Sequence, residues 1–374
     1  MTQTLTLPGR DLFWPPADEL TEAAERIRAR LGDWPANLAP WRICLTAPDD
    51  ANGGDLIIVA DAQPHGERIA RWQTQGAGVI EAAAGRATLH LGGVRYPLEG
   101  HLAEDWIAAL AAFLDCGFAP HDALVLALAW RDGDERAAAD ADSDVDAWPC
   151  ELGRFPRIAG LPAAPAQPFA RCPDALGLYP VLPTAAWVEQ VVGFGVKTVQ
   201  LRRKSAQPDE LADEIARSVA AGRPHDAQVF INDHWQAAIA AGAYGVHLGQ
   251  EDVHTADLHA IAAAGLRLGL STHGYYEMLT ALHFRPSYIA LGAVFPTTTK
   301  VMPTAPQGLA RLARYVRLLR GVVPTVAIGG IGGDVLPAVL ATGVRSAALV
   351  RAVTEAADPA AAVARLQQVF ARQM

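Results

Sequence analysis

From residue 178 onward the chain repeats one pattern eight times: a short apolar run, a polar turn, then an amphipathic segment. The runs are LYPVL (178–182), TVQLR (198–202), AQVFI (227–231), YGVHL (244–248), LRLGL (266–270), YIALG (288–292), PTVAI (324–328) and SAALV (346–350). Each is too short for a helix and nearly continuous in its apolar character, which predicts a strand buried on both faces. The segments between them, such as PDELADEIARSVAAG (208–222) and HWQAAIAAGAY (234–244), have a helical period, and several stop at glycine. Strands of this kind alternating with helices form a parallel sheet, and eight units predict a (β/α)8 TIM barrel over 177–374, with an open doubly wound sheet as the alternative.

The first part of the chain reads differently. WRICLTAP (41–48) and GDLIIVADAQ (54–63) predict strands, ATLHLGGVRYPLEG (87–100) a strand–turn–strand, and 103–130 two helices broken at Cys116–Gly117. Residues 1–150 are therefore expected to form a smaller α/β domain. RDGDERAAADADSDVDAW (131–148) is acidic and without apolar period, which predicts a solvated segment, and the Pro/Ala-rich 156–175 predicts extended chain. Residues 151–176 are read as a linker.

Composition narrows the function classes. A formal net charge of −9 and the absence of any Lys/Arg-rich block argue against nucleic acid. No run of 18 apolar residues predicts a membrane span. Cys44, Cys116, Cys150 and Cys172 form no CxxC pair. Cytoplasm is the expected compartment; homo-oligomerisation is allowed by the sequence and not specified by it.

In a barrel of this kind the strand C-termini form the working face, so the residues just after each run matter most. Gln200 and Arg202 share one side of the second run and Lys204 follows, as a phosphate clamp or a solvated basic strand end would. Asn232 and Asp233 follow the third run and Asp252 the fourth. They read either as helix caps or as a carboxylate pair for Mg²⁺, an ion that fills its remaining positions with water and substrate phosphate oxygens. Ser271 and His273 follow the fifth run. Thr297, Thr299 and Lys300 follow the sixth, hydroxyls and a point charge suited to phosphate oxygens. Gly329 and Gly330 follow the seventh, and Val350–Arg351 ends the eighth, where backbone N–H groups can approach an anion. One group (Gln200, Arg202, Lys204, Asp233, Asp252, Lys300) suits pyrophosphate with Mg²⁺; the other (Gly329, Gly330, Val350, Arg351) suits a second phosphate. Two phosphorylated small molecules meeting across a barrel mouth point to a transferase.

These segments also resemble a known family. LYPVLPT (178–184), VQLRRK (199–204), FINDHWQAAIAAGAYGVHLGQEDV (230–253), LGLSTH (268–273), YIALGAVFPTTTK (288–300) and VAIGGI (326–331) are similar, in order and spacing, to thiamine-phosphate synthase. The resemblance implies condensation of hydroxymethylpyrimidine diphosphate with thiazole phosphate, giving thiamine phosphate and pyrophosphate through a pyrimidine methyl cation. It implies that Gln200, Arg202, Lys204 and Asn232 contact the pyrimidine diphosphate and that Asp233 and Asp252 ligate Mg²⁺. It also implies that Ser271, Thr297, Thr299 and Lys300 surround the reacting groups, with Lys300, Arg202 and Ser271 closest to the chemistry. Gly329, Gly330 and the Val350–Arg351 backbone would hold the thiazole phosphate. The chain departs from the family at Arg203, where an acidic residue is usual, at Arg351, where serine is common, and at His234. Residues 103–130 faintly resemble the end of a hydroxymethylpyrimidine phosphate kinase, but the preceding GHLAED (100–105) lacks the glycines that would cradle phosphate. Alternatives are a bifunctional kinase–synthase, a thiazole tautomerase-like enzyme using His273, and a non-catalytic precursor-binding protein.

Overall fold

The computed structural model describes residues 11–34, 41–60, 66–140, 146–204, 207–297 and 304–373, without the side chains of 138–140 and 373. The chain divides into two compact units, 1–161 and 162–374.

The first unit holds one seven-stranded sheet in sequence order: β1 (Phe13–Trp14), β2 (Arg42–Cys44), β3 (Asp55–Val59), β4 (Gly78–Ala83), β5 (Arg86–Leu91), β6 (Val94–Glu99) and β7 (Arg157–Ile158). β1 to β4 pair in parallel and β4 to β7 antiparallel. Helices Trp106–Asp115 and Pro120–Ala129 are apolar on nearly every side and buried accordingly. The acidic segment expected to be solvated is partly structured: Asp134–Asp140 is helical, and Trp148 stacks on Trp34 and meets the Phe113 and Phe118 rings. One aromatic anchor ties down the end of an otherwise polar stretch.

All eight expected strands form in the second unit: β8 (Gly177–Leu182), β9 (Thr198–Leu201), β10 (Gln228–Asn232), β11 (Gly245–Leu248), β12 (Arg267–Thr272), β13 (Tyr288–Leu291), β14 (Thr325–Ile328) and β15 (Ser346–Leu349). They close into a parallel barrel, with β15 paired to β8. The Ser346 hydroxyl supports that seam by accepting from the Leu176 N–H at 2.9 Å. Helices cover the outside, for example Ala185–Gly193, whose N-terminus is capped by Thr184, and Pro208–Gly222, which starts on proline with acidic residues in its first turn.

The interior is filled by Tyr179, Val181, Phe230, Tyr288, Ala290, Val326 and Ala348. Register explains how rings so large fit. His247, Gly269 and Tyr288 lie level on three adjacent strands. A Cβ at Gly269 would fall inside the Tyr288 ring, so the missing side chain is the space that ring occupies. Residues 162–176 run across the strand N-termini. Ser287 Oγ donates to Ala170 O at 2.7 Å and Arg267 Nε to Arg171 O at 3.0 Å. Cys172 sits in the core, and burial pushes its thiol up to about 12, leaving it a small hydrophobe.

Gly269→Ala forces this packing apart and is expected to destabilise the barrel by about 1–3 kcal/mol. Thermal unfolding of the full chain checks it, with Gly193→Ala as control. No atom beyond its own helix lies within 4 Å of a Cβ at Gly193, so that variant is expected to unfold at or slightly above the wild-type temperature.

Candidate active site

The C-terminal ends of the barrel strands open into a cavity of about 1100 Å³. Gln200, Arg202, Lys204, Asn232, Asp233, Asp252, Ser271, Thr297, Gly329, Gly330, Val350 and Arg351 all line it. These residues come from the ends of seven strands and lie up to 151 positions apart in the chain, from Gln200 to Arg351. Thr299 and Lys300 fall outside the described residues. Arg203 turns to Glu210, with an Nη2–Oε1 separation of 2.5 Å.

Asp233 is held in the left-handed region at φ 62°, a conformation that Asp and Asn tolerate better than other non-glycine residues. Its N–H donates to His247 O at 2.9 Å, which ties the turn to the neighbouring strand. The cap alternative fails here: helix Trp235–Ala241 receives no side-chain cap. Asp252 does cap, accepting from the Gly249 N–H at 3.2 Å. The two carboxyls are within hydrogen-bond reach of one another. Desolvation within the mouth, and then the Asp252 charge, push the Asp233 carboxyl up to about 6, while Arg202 pulls the other way. A second anionic carboxyl so close is the arrangement a divalent cation relieves. Among the described residues no group of three or more His, Cys, Asp or Glu gathers as a metal cage. The pair alone fits Mg²⁺, which binds through one or two carboxylates and completes its shell with water and phosphate oxygens.

On the opposite side, Gly329 has φ 100° and a Cβ there would collide with Ala293, so the backbone packs where no side chain could. His273 Nδ1 lies 2.7 Å from Glu277 Oε2, and the same oxygen accepts from the His273 N–H at 2.8 Å.

The residues matching the thiamine monophosphate synthase family model are 178–353, all within the barrel unit. A thiamine-phosphate synthase from Neisseria meningitidis serogroup A is 62% identical over 202 residues, 54% of this chain and 98% of that protein. One from Salmonella newport is 56% identical over 201 residues, 54% of this chain and 95% of that protein. Among solved structures, a thiamine phosphate pyrophosphorylase from Pyrococcus furiosus matches 53% of this chain and 97% of its own at 31% identity, with a TM-score of 0.48. The chain belongs to the thiamine-phosphate synthase family. As a synthase of that family it is a transferase, with its barrel unit spanning nearly the whole length of these relatives.

Sequence reasoning about this synthase missed Tyr179, His247 and Tyr288, which connect Gln200 to Ser271 through the interior. Period-2 spacing marks His247 as inward-facing with Gly245 and Gly249, which was the signal available. The unit outside the family match has its own anion: the Asp132 carboxylate accepts from the Glu104 and Asp105 N–H groups, at 3.2 and 3.0 Å, at the start of helix Trp106–Asp115.

The Asp233 shift fixes the sign of a stability effect. The folded carboxyl holds its proton from 3.8 up to about 6, so the stability this proton brings is present below about pH 4 and is lost as pH rises through about 6. Asp233→Asn keeps the left-handed backbone and removes the charge. Because Asp233 is open to water on its outer side, the gain is on the order of 1 kcal/mol after screening. Melting in EDTA at pH 7.5 should therefore rise by about 2–4 °C, with the difference from wild type gone near pH 4.

Proposed function

We propose that this protein condenses hydroxymethylpyrimidine diphosphate with thiazole phosphate in the barrel mouth, releasing pyrophosphate and forming thiamine phosphate. The observation that carries the reading is the Asp233–Asp252 pair facing Arg202 at the ends of neighbouring strands. That arrangement attracts a metal-bound diphosphate.

In this reading Asp233 and Asp252 hold Mg²⁺, which supplies charge neutralisation to the departing pyrophosphate. Arg202 and Lys204 take up the same developing charge from the protein side, Arg202 by a planar fork and Lys204 as a point charge. Thr297 lines the same mouth; Thr299 and Lys300, outside the described residues, are assigned to the reacting groups and the pyrophosphate by the resemblance. Gln200 and Asn232 hold the pyrimidine. The C–O bond to pyrophosphate breaks first, both electrons leaving with oxygen, and the ring stabilises the remaining methyl cation. The thiazole nitrogen then donates its lone pair to that carbon. Gly329, Gly330 and the Val350–Arg351 backbone hold the thiazole phosphate so that nitrogen and carbon meet, and Ser271 lies beside the reacting groups. Catalysis of this type rests on positioning and electrostatics and needs no strong base. The Glu277 carboxylate on His273 Nδ1 is compatible with acid–base use of that imidazole, so the synthase relatives, and not this contact, are what weigh against a tautomerase-like reading. We place the reaction in the cytoplasm.

For the first unit, read as a domain of its own ahead of a short linker, we infer a shortened kinase relative without phosphoryl transfer, serving packing or regulation. Its support is the Asp132 carboxylate, which already takes two N–H groups at the helix start where a phosphate would be cradled.

The test is direct. The full chain with both substrates and Mg²⁺ should form thiamine phosphate, and EDTA should abolish turnover. Asp252→Ala or Arg202→Ala should lower kcat by about 10²–10³. A precursor-binding protein without catalysis would yield no product in any arm. ATP with hydroxymethylpyrimidine should yield no phosphorylated product; its appearance would return the bifunctional reading.

A further inference from the structure

Five side chains cross the barrel interior as one hydrogen-bonded line, and the reaction as proposed above uses only its two ends. Gln200 Nε2 donates to the Tyr179 hydroxyl at 3.3 Å. The Tyr179 and Tyr288 hydroxyls lie 2.9 Å apart. The Tyr288 hydroxyl lies 2.7 Å from His247 Nδ1, and His247 Nε2 lies 2.8 Å from Ser271 Oγ. Tyr179, Gln200, His247 and Tyr288 are buried, at 1%, 3%, 5% and 0% exposure, so water does not compete for these bonds. Gln200, His247 and Ser271 also line the mouth.

Such a line has a direction, because each hydroxyl has one proton to donate. Gln200 donates, so Tyr179 accepts there and gives its own proton to Tyr288. Tyr288 donates to Nδ1, which leaves the ring proton on Nε2 and makes Ser271 Oγ an acceptor. Two consequences reach the mouth. The Ser271 hydroxyl hydrogen is free to point outward as a donor. The Gln200 amide has its N–H₂ engaged inward, so its carbonyl oxygen is the atom left for a ligand. With Gln200 donating, the opposite run from Ser271 would send the Tyr288 proton to Tyr179 and leave the Tyr179 hydrogen without an acceptor along this buried line.

We propose that Tyr179, Tyr288 and His247 are positioning residues that fix an acceptor at Gln200 and a donor at Ser271, and that this pair selects an aminopyrimidine. An aminopyrimidine offers an exocyclic N–H donor beside a ring-nitrogen acceptor. Its oxo counterpart offers C=O and N–H in the reversed order and meets like against like. The inference rests on the reading of the mouth as a pyrimidine diphosphate site. Gly269 is part of the device, since its missing side chain lets Tyr288 reach His247 across a strand.

Tyr288→Phe and Tyr179→Phe each remove one hydroxyl, keep the ring and cut the line at a different link. Equilibrium binding to the full chain with Mg²⁺ is measured for three probes: the aminopyrimidine diphosphate, its 4-oxo analogue and inorganic pyrophosphate. Wild type should prefer the amino over the oxo ligand. In either variant that preference should fall about tenfold, the cost of one unpaired polar group. Pyrophosphate, which needs only the cationic and metal-binding side, should bind within about twofold of wild type. A preference that is unchanged in a variant binding pyrophosphate normally overturns the proposal. So does a parallel loss of all three ligands, which would assign the line to folding alone. If wild type binds pyrophosphate but neither pyrimidine, the reading of the site fails and the proposal with it; either folded variant suffices for the rest.

Discussion

The pairing of β15 with β8 is the contact on which the site depends. Until that seam closes, the strand ends carrying Arg202, Asp233, Asp252, Ser271 and Gly329 lie along an open edge and share no mouth. Closure in turn requires the interior to be filled, and Tyr179, Tyr288 and Phe230 are the largest side chains that fill it. Ser346 anchors the seam from below, and the 162–176 strap covers the strand N-termini. Stability is concentrated at the bottom and middle of the barrel, and the polar residues at the top are placed by it.

The top bears an opposing cost. Burial and the nearby Asp252 charge push the Asp233 carboxyl up, with Arg202 only partly compensating. A fold optimised for stability alone would not bring two carboxylates together there. Asp233 is moreover held with a positive φ, and its N–H is donated to the His247 carbonyl of the neighbouring strand. The local geometry aims the carboxylate at the mouth and leaves helix Trp235–Ala241 without a side-chain cap. This is the pattern expected where binding, and not folding, has set the residue.

The barrel was legible because buried parallel strands write themselves as continuous apolar runs, most of them followed within a few residues by polar side chains or glycines. The mouth was legible for a related reason: topology sends every strand's C-terminal neighbour to the same face, so position after a run is enough. What sits inside was less visible. Tyr179 and Tyr288 look like ordinary apolar strand residues, and His247 is buried within an apolar run. Their meeting depends on the register across Gly269, a non-local property. In the first unit, β4 was missed because GVIEAA continues into a tight turn toward β5, and Trp148 because one aromatic residue closes a stretch whose composition is otherwise that of solvated chain.

The two units treat exposed backbone N–H groups in opposite ways, and the contrast bears on what each can do. A helix start with free N–H groups draws an anion from solution. At Glu104 and Asp105 the anion is Asp132, covalently part of the chain and therefore always present at high effective concentration. A phosphate arriving there must displace a tethered carboxylate and then sit beside its negative charge. In the barrel mouth the carboxylates are turned the other way: they face a cavity of about 1100 Å³ that Arg202 and Lys204 also line, open to something that enters. One unit has satisfied its anion site internally, while the other keeps its paired carboxyls only partly compensated by Arg202.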